Sequence, residues 1–217
     1  MIDFELIVPD GWVVLPTTPE STRLRTAAID AIIRTFLPDS MPRDSAGPWR
    51  RELRKQLLAA TDDACRNGAR SVLLPLSRFN GRRIPGSMIM TVMEDEARPA
   101  QDPEQLLASI LADAGSDGAF REIGGASAVR VASVVRAPAL GRDALGRRVG
   151  YYLAHPERPG VWGLLTFTVL AEGDTVEDPD VQAVELLFDS IVSTVRWADR
   201  DAVPTEDEIL ASLAPAA

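Results

Sequence analysis

The stretch that most constrains this fold is GVWGLLTFTVLAEGDTVEDPDVQAVELLFDSIVSTVRW, Gly160 to Trp197. Its first part, Val161 to Leu170, is an apolar run of strand length, which predicts a strand buried on both faces or nearly so. A loop rich in Gly and Asp follows. The next segment places Val181, Val184, Phe188, Ile191 and Val195 at alternating spacings of three and four, with Leu187 and Val192 beside them. That is the strongest amphipathic helix pattern in the chain. A buried strand and an amphipathic helix joined by a short loop fold back on each other and found a sheet-and-helix layer.

The preceding segments supply strands for that layer. Ala126–Ala137 alternates apolar and polar residues, Leu140–Arg147 reads as a turn region, and Val149–Ala154 reads as the partner strand. With Val161–Leu170 these form an antiparallel meander, because their connections are short. Ala69–Leu76 and Ser87–Met93 read as two more strands, joined through Asn80-Gly81, a hairpin signal. Phe120–Ile123 reads as a short strand. At the start, Phe4–Val8 and Trp12–Leu15 flank Pro9-Asp10-Gly11 and predict an N-terminal hairpin with Trp12 in the core.

Three further helices are expected. Thr17 to Glu20 fits a capping box ahead of Leu24, Ala28, Ile32 and Phe36. Pro48 is expected to restart helix and Gly68 to end it, with Trp49, Leu53, Leu57, Ala60 and Ala64 as the buried stripe. The Pro-, Ser- and Asp-rich segment before Pro48 reads as a loop. Asp102 caps a helix that buries Leu106, Leu107, Ile110, Leu111 and Ala114. The fold class is therefore α+β: one domain over 1–198, a mostly antiparallel sheet of about seven strands with helices on both faces. Residues 199–217 form an acidic tail with a short final helix around Ile209, Leu210 and Leu213.

Charge and cysteine count narrow the function. A net charge of −9 over 217 residues argues against a nucleic-acid partner, because phosphate binding needs a positive footprint. Cys65 is the only cysteine, so no internal disulfide or cysteine metal cage can form. No apolar run reaches the roughly 20 residues that span a bilayer, and MIDFELIVPDGW does not read as a signal peptide. The expectation is a cytoplasmic protein without membrane association. Lys55 is the only lysine among abundant arginines and alanines, which reads as the codon usage of a GC-rich genome.

No reactive constellation emerges. His155 is the only histidine, and no Gly-x-Ser-x-Gly elbow accompanies it. The acids of Gly173–Asp180 lack calcium-loop spacing, and Asp178 before Pro179 reads as a helix cap. Catalytic, cofactor and metal residues are accordingly assigned to none. One cluster stands out: Arg50, Arg51, Arg54 and Lys55 sit in the expected first turns of a helix, where cations oppose the dipole. They are the candidate partner-binding residues, facing an acidic partner or the acidic tail. The alternative function is a small-molecule binder or weak hydrolase with a cleft near His155. A homo-oligomer through exposed strand edges is a third reading.

The motifs FELIVPDGW (Phe4–Trp12), LLTFT (Leu164–Thr168) and LFDSIVSTVRW (Leu187–Trp197) resemble those of the PsbP-like fold group. That group includes the photosystem extrinsic subunit, the Mog protein and the LpqN-type proteins. The chain is also similar to actinobacterial proteins, some encoded near type VII secretion genes. The resemblance implies a non-enzymatic accessory or adaptor that binds another protein, with no family active site to carry over.

Overall fold

The computed structural model describes residues 2–36, 43–79, 81–94, 102–139, 142–171 and 175–199. The strands are β1 (Ile2–Glu5), β2 (Trp12–Pro16), β3 (Ala69–Pro75), β4 (Arg78–Phe79), β5 (Arg82–Arg83), β6 (Gly86–Glu94), β7 (Gly118–Ile123), β8 (Ala126–Ala139), β9 (Arg142–Ala154), β10 (Val161–Leu170) and β11 (Arg196–Asp199). The helices are α1 (Thr22–Phe36), α2 (Arg43–Arg66), α3 (Pro103–Ala114) and α4 (Pro179–Ser193).

The main sheet has seven strands in the order β2-β3-β6-β10-β9-β8-β7, all neighbours antiparallel. The apolar run thus becomes β10, the middle strand. One sheet face packs on α4. There Phe188 is fully buried, stacked on Phe167 with centroids 4.7 Å apart and edge-on to Trp12 at 5.2 Å. Val181, Val184, Ile191 and Val192 complete the buried stripe of α4. Each such side chain contributes about 1.5–3 kcal/mol by leaving water. The other face carries two separate layers. The α1–α2 pair covers Val13 and Leu15 of β2, with Leu74 of β3 packed beside them; α3 sets Leu107 against Val129 and Ala154. The expected α+β architecture, with helices on both faces of an antiparallel sheet, is what the chain forms.

Several local expectations are corrected. The N-terminal hairpin does not form: β1 pairs with β11 at the far end of the described chain, Phe4 opposite Trp197, and β2 pairs with β3. Gly11, at φ 74°, turns the chain away so that Trp12 enters the main sheet opposite Pro75. The turn expected over Leu140–Arg147 is mostly strand, since β8 runs to Ala139 and β9 starts at Arg142. Gly146 lies inside β9, where a Cβ would stand 3.2 Å from the Val169 carbonyl oxygen, so this glycine marks a close approach and not a turn. Thr17 is no cap. It is buried and donates its hydroxyl to the Ala69 carbonyl at 2.7 Å. Thr18 precedes a short 3-10 turn, Pro19–Ser21, and makes no side-chain cap bond to the backbone.

The largest correction concerns α2. It begins at Arg43, with Pro48 inside it, so residues 43–48 are helix and not loop. The two helices run antiparallel, joined by Arg25–Asp62 at 2.7 Å near one end and Arg54–Asp30 at 2.7 Å midway. Since α2 has 24 residues and α1 has 15, the excess lies at the start of α2. Trp49, level with the last turn of α1, is 59% exposed, and Ala60 is exposed as well. Leu53, Leu57, Leu58, Thr61 and Ala64 carry the packing instead. The expected final helix and the acidic tail lie outside the described residues.

Candidate functional site

The basic cluster is divided by the helix pair. Arg54 donates from Nε to Asp30 of α1, and this bond, reinforced by the charge of Asp30, raises its pKa. Arg54 therefore holds α1 to α2. Arg51 and Lys55, four residues apart and on one strip of α2, are exposed, and Arg50 is half-buried. Trp49 lies at the other flank of the same exposed half. Because α2 starts at Arg43, these residues sit seven to twelve positions into the helix. The unfavourable dipole term expected for them does not apply, since it fades beyond the first turn.

A second polar cluster was missed in the sequence. Arg130 on β8 stands opposite Tyr151 on β9. Its guanidinium donates to both carboxylate oxygens of Asp189 on α4, at 3.2 and 3.0 Å, and to Glu185 one turn earlier. The Tyr151 hydroxyl donates to Asp189 at 2.8 Å, and Arg147 reaches Glu185 at 3.3 Å. Burial lowers the Arg130 pKa, but its bonds to Asp189 and Glu185 outweigh that and hold it above its ordinary value. Burial, then the bond to Asp189, pushes Tyr151 well above the ordinary tyrosine range. Every member of this network has a partner, so it reads as a clamp of α4 onto β8 and β9. The only sequence signal was Glu185 and Asp189 at helical spacing, which names no partner.

His155 serves the β9–β10 turn. Its Nδ1 accepts from the backbone N–H of Glu157 at 3.1 Å and of Arg158 at 3.0 Å, and its ring lies 4.7 Å from Trp197. Burial, and then the charge of Arg158, lowers its pKa. A ring nitrogen spent on two backbone donors is not offered to a hydroxyl nucleophile in this state. Asp178 accepts from the Asp180 N–H at 2.8 Å, the cap that was expected. Among the described residues no group of His, Cys, Asp and Glu could hold a metal ion, and no helix is long and apolar enough to cross a membrane.

No protein-family model matches this chain, and no curated protein matches it. Solved structures similar to this chain include the following two. One is LpqN, involved in cell envelope biogenesis of Mycobacterium tuberculosis: 15% identity, TM-score 0.45, covering 92% of this chain and 85% of that one. The other is a point mutant of the protein Mog1: 10% identity, TM-score 0.37, covering 58% of this chain and 78% of that one. Both are PsbP-like folds, the group that this sequence resembles.

Proposed function

We propose that the protein is a non-enzymatic, cytoplasmic accessory or adaptor that binds another protein through the exposed half of α2 around Trp49, Arg51 and Lys55. One observation carries this reading: Trp49, a large aromatic, is 59% exposed on α2 among cationic side chains. Tryptophan and arginine dominate the energetics of protein interfaces, because each supplies a large, pre-organised contact area. The partner would present a carboxylate-bearing surface with an apolar recess for the indole. The network around Asp189 and the Nδ1 bonds of His155 hold the fold, while Trp49, Arg51 and Lys55 stand exposed on α2. A link to type VII secretion rests on the sequence resemblance alone.

The test is affinity capture from native lysate with the tagged protein, beside Trp49→Ala and the double variant Arg51→Glu, Lys55→Glu. The expected result is a partner retained by the parent and lost by both variants at unchanged melting temperature. A partner that binds all three alike would remove this surface from consideration, and no partner at all would count against the adaptor reading. Repeating the capture with and without an active type VII system tests the secretion link separately.

A further inference from the structure

The two edges of the main sheet are treated differently. At one edge β2 is buried along four of its five residues and ends in Pro16, which has no N–H to offer a neighbour. At the other edge lies β7, whose register with β8 runs without a bulge from Gly118 to Ile123. It contains no proline and no lysine, and among the described residues no strand pairs with its outer side. Phe120, at its centre, is 56% exposed; Arg121 and Glu122 are exposed as well. A straight edge strand with an exposed aromatic is a template for strand addition, and natural sheets ordinarily blunt such edges. Among the described residues, Arg121 donates locally to the Phe120 carbonyl at 2.9 Å.

We propose that β7 is a homodimer interface, with two copies pairing antiparallel about a two-fold axis at Phe120. The side chains select the occupant and the register. Directly opposed residues in an antiparallel pair share the same hydrogen-bonding status, so a two-fold must pass through one residue position. With the axis at Phe120, Phe120 meets its own mate, Arg121 faces Ala119, and Glu122 faces Gly118. The apolar side chain is then central and no like charges are opposed. Moving the axis to Arg121 sets two guanidinium groups against each other; moving it to Ala119 leaves Phe120 opposite glycine. Aromatic cross-strand pairs stabilise a ladder and opposed like charges destabilise it. Pairing in this register joins two seven-stranded sheets into one. The Arg121 side chain must release the Phe120 carbonyl as the partner strand arrives. This surface is separate from the α2 surface, so either can fail without the other.

Sedimentation equilibrium over a concentration series up to about 1 mM, the range in which weak dimers are populated, reads the association. The expected result is a mass rising from monomer towards dimer, and a Phe120→Lys variant that stays monomeric with an unchanged circular dichroism spectrum. A second measurement does not depend on that variant folding. In a Cys65→Ser background, Phe120→Cys should cross-link to a covalent dimer on mild oxidation, because residues directly opposed on an axis fall within disulfide reach. Glu122→Cys, opposite Gly118, should not. A parent chain that remains monomeric throughout, a Phe120→Lys chain that still dimerises, or equal cross-linking at positions 120 and 122 would each overturn the proposal.

Discussion

Gly163, near the start of β10, lies directly beneath the ring of Phe4, and a Cβ at that position would collide with it. The missing side chain lets the β1–β11 pair settle onto the sheet, with Phe4 and Trp197 tilted against each other at 4.6 Å. Gly163→Ala should therefore lift this two-stranded pair, at a cost of about 1–3 kcal/mol typical of an overpacked core. A lowered melting temperature together with a red-shifted tryptophan emission would report it. An alanine tolerated without either change would show that the pair is not seated as described.

The clamp on α4 should be sensitive to a single carboxylate. Asp189→Asn leaves the shape but removes the charge that Arg130 and Tyr151 both bind. The expected loss is about 1–3 kcal/mol, the range for breaking hydrogen bonds to a mostly buried charged group. Urea denaturation with an unchanged slope would measure it.

Tyr151 gives a pH dependence with a definite sign. Its folded pKa is raised above the unfolded value, by burial first and then by Asp189. The resulting stability is fully present below the ordinary tyrosine pKa of about 10 and is lost as pH rises beyond it through the folded value. Absorbance titration of tyrosinate should show one tyrosine ionising late. In Asp189→Asn that late step should move to lower pH.

His155 acts in the opposite direction. Its folded pKa is lowered, so the neutral ring is favoured in the folded state, and its contribution is complete above about pH 6.5 and lost as pH falls through the folded value. Protonating Nδ1 would turn an acceptor of two backbone N–H groups into a donor facing them. As the only histidine, it can be followed by proton NMR without ambiguity. A midpoint above 6.5 would contradict the geometry.

Trp49→Ala should leave folding almost untouched, within about 0.5 kcal/mol, as for other exposed positions free of special contacts. A larger drop in thermal stability would mean that the indole supports α2 and is not held out for a partner.

Much of the fold was legible in local pattern. The run Val161–Leu170 announced the middle strand, although only its Leu165, Phe167 and Val169 face is buried and the other face is half-exposed, and the spacing of Val181, Val184, Phe188 and Ile191 marked the buried face of α4. The connections between β8, β9 and β10 were short enough to force a meander. The candidate site was less legible. Trp49 sits four residues before Leu53, so spacing alone placed it in the buried stripe; the helix instead turns Leu57, Leu58 and Thr61 inward and leaves the indole 59% exposed. Arg130, Tyr151 and Asp189 are ordinary residues in their own segments and gain meaning only from being brought together.

The sequence alone determined which residues form the middle strand, its covering helix and the antiparallel ribbon beside them, because periodicity records how each segment divides between water and core. Tertiary structure decided that the two ends of the described chain pair as β1 and β11, that α2 outruns α1, and that Asp189 faces Arg130. Those outcomes depend on contacts between residues far apart in sequence and on the space left by a single glycine at 163, and neither quantity is written in any local spacing.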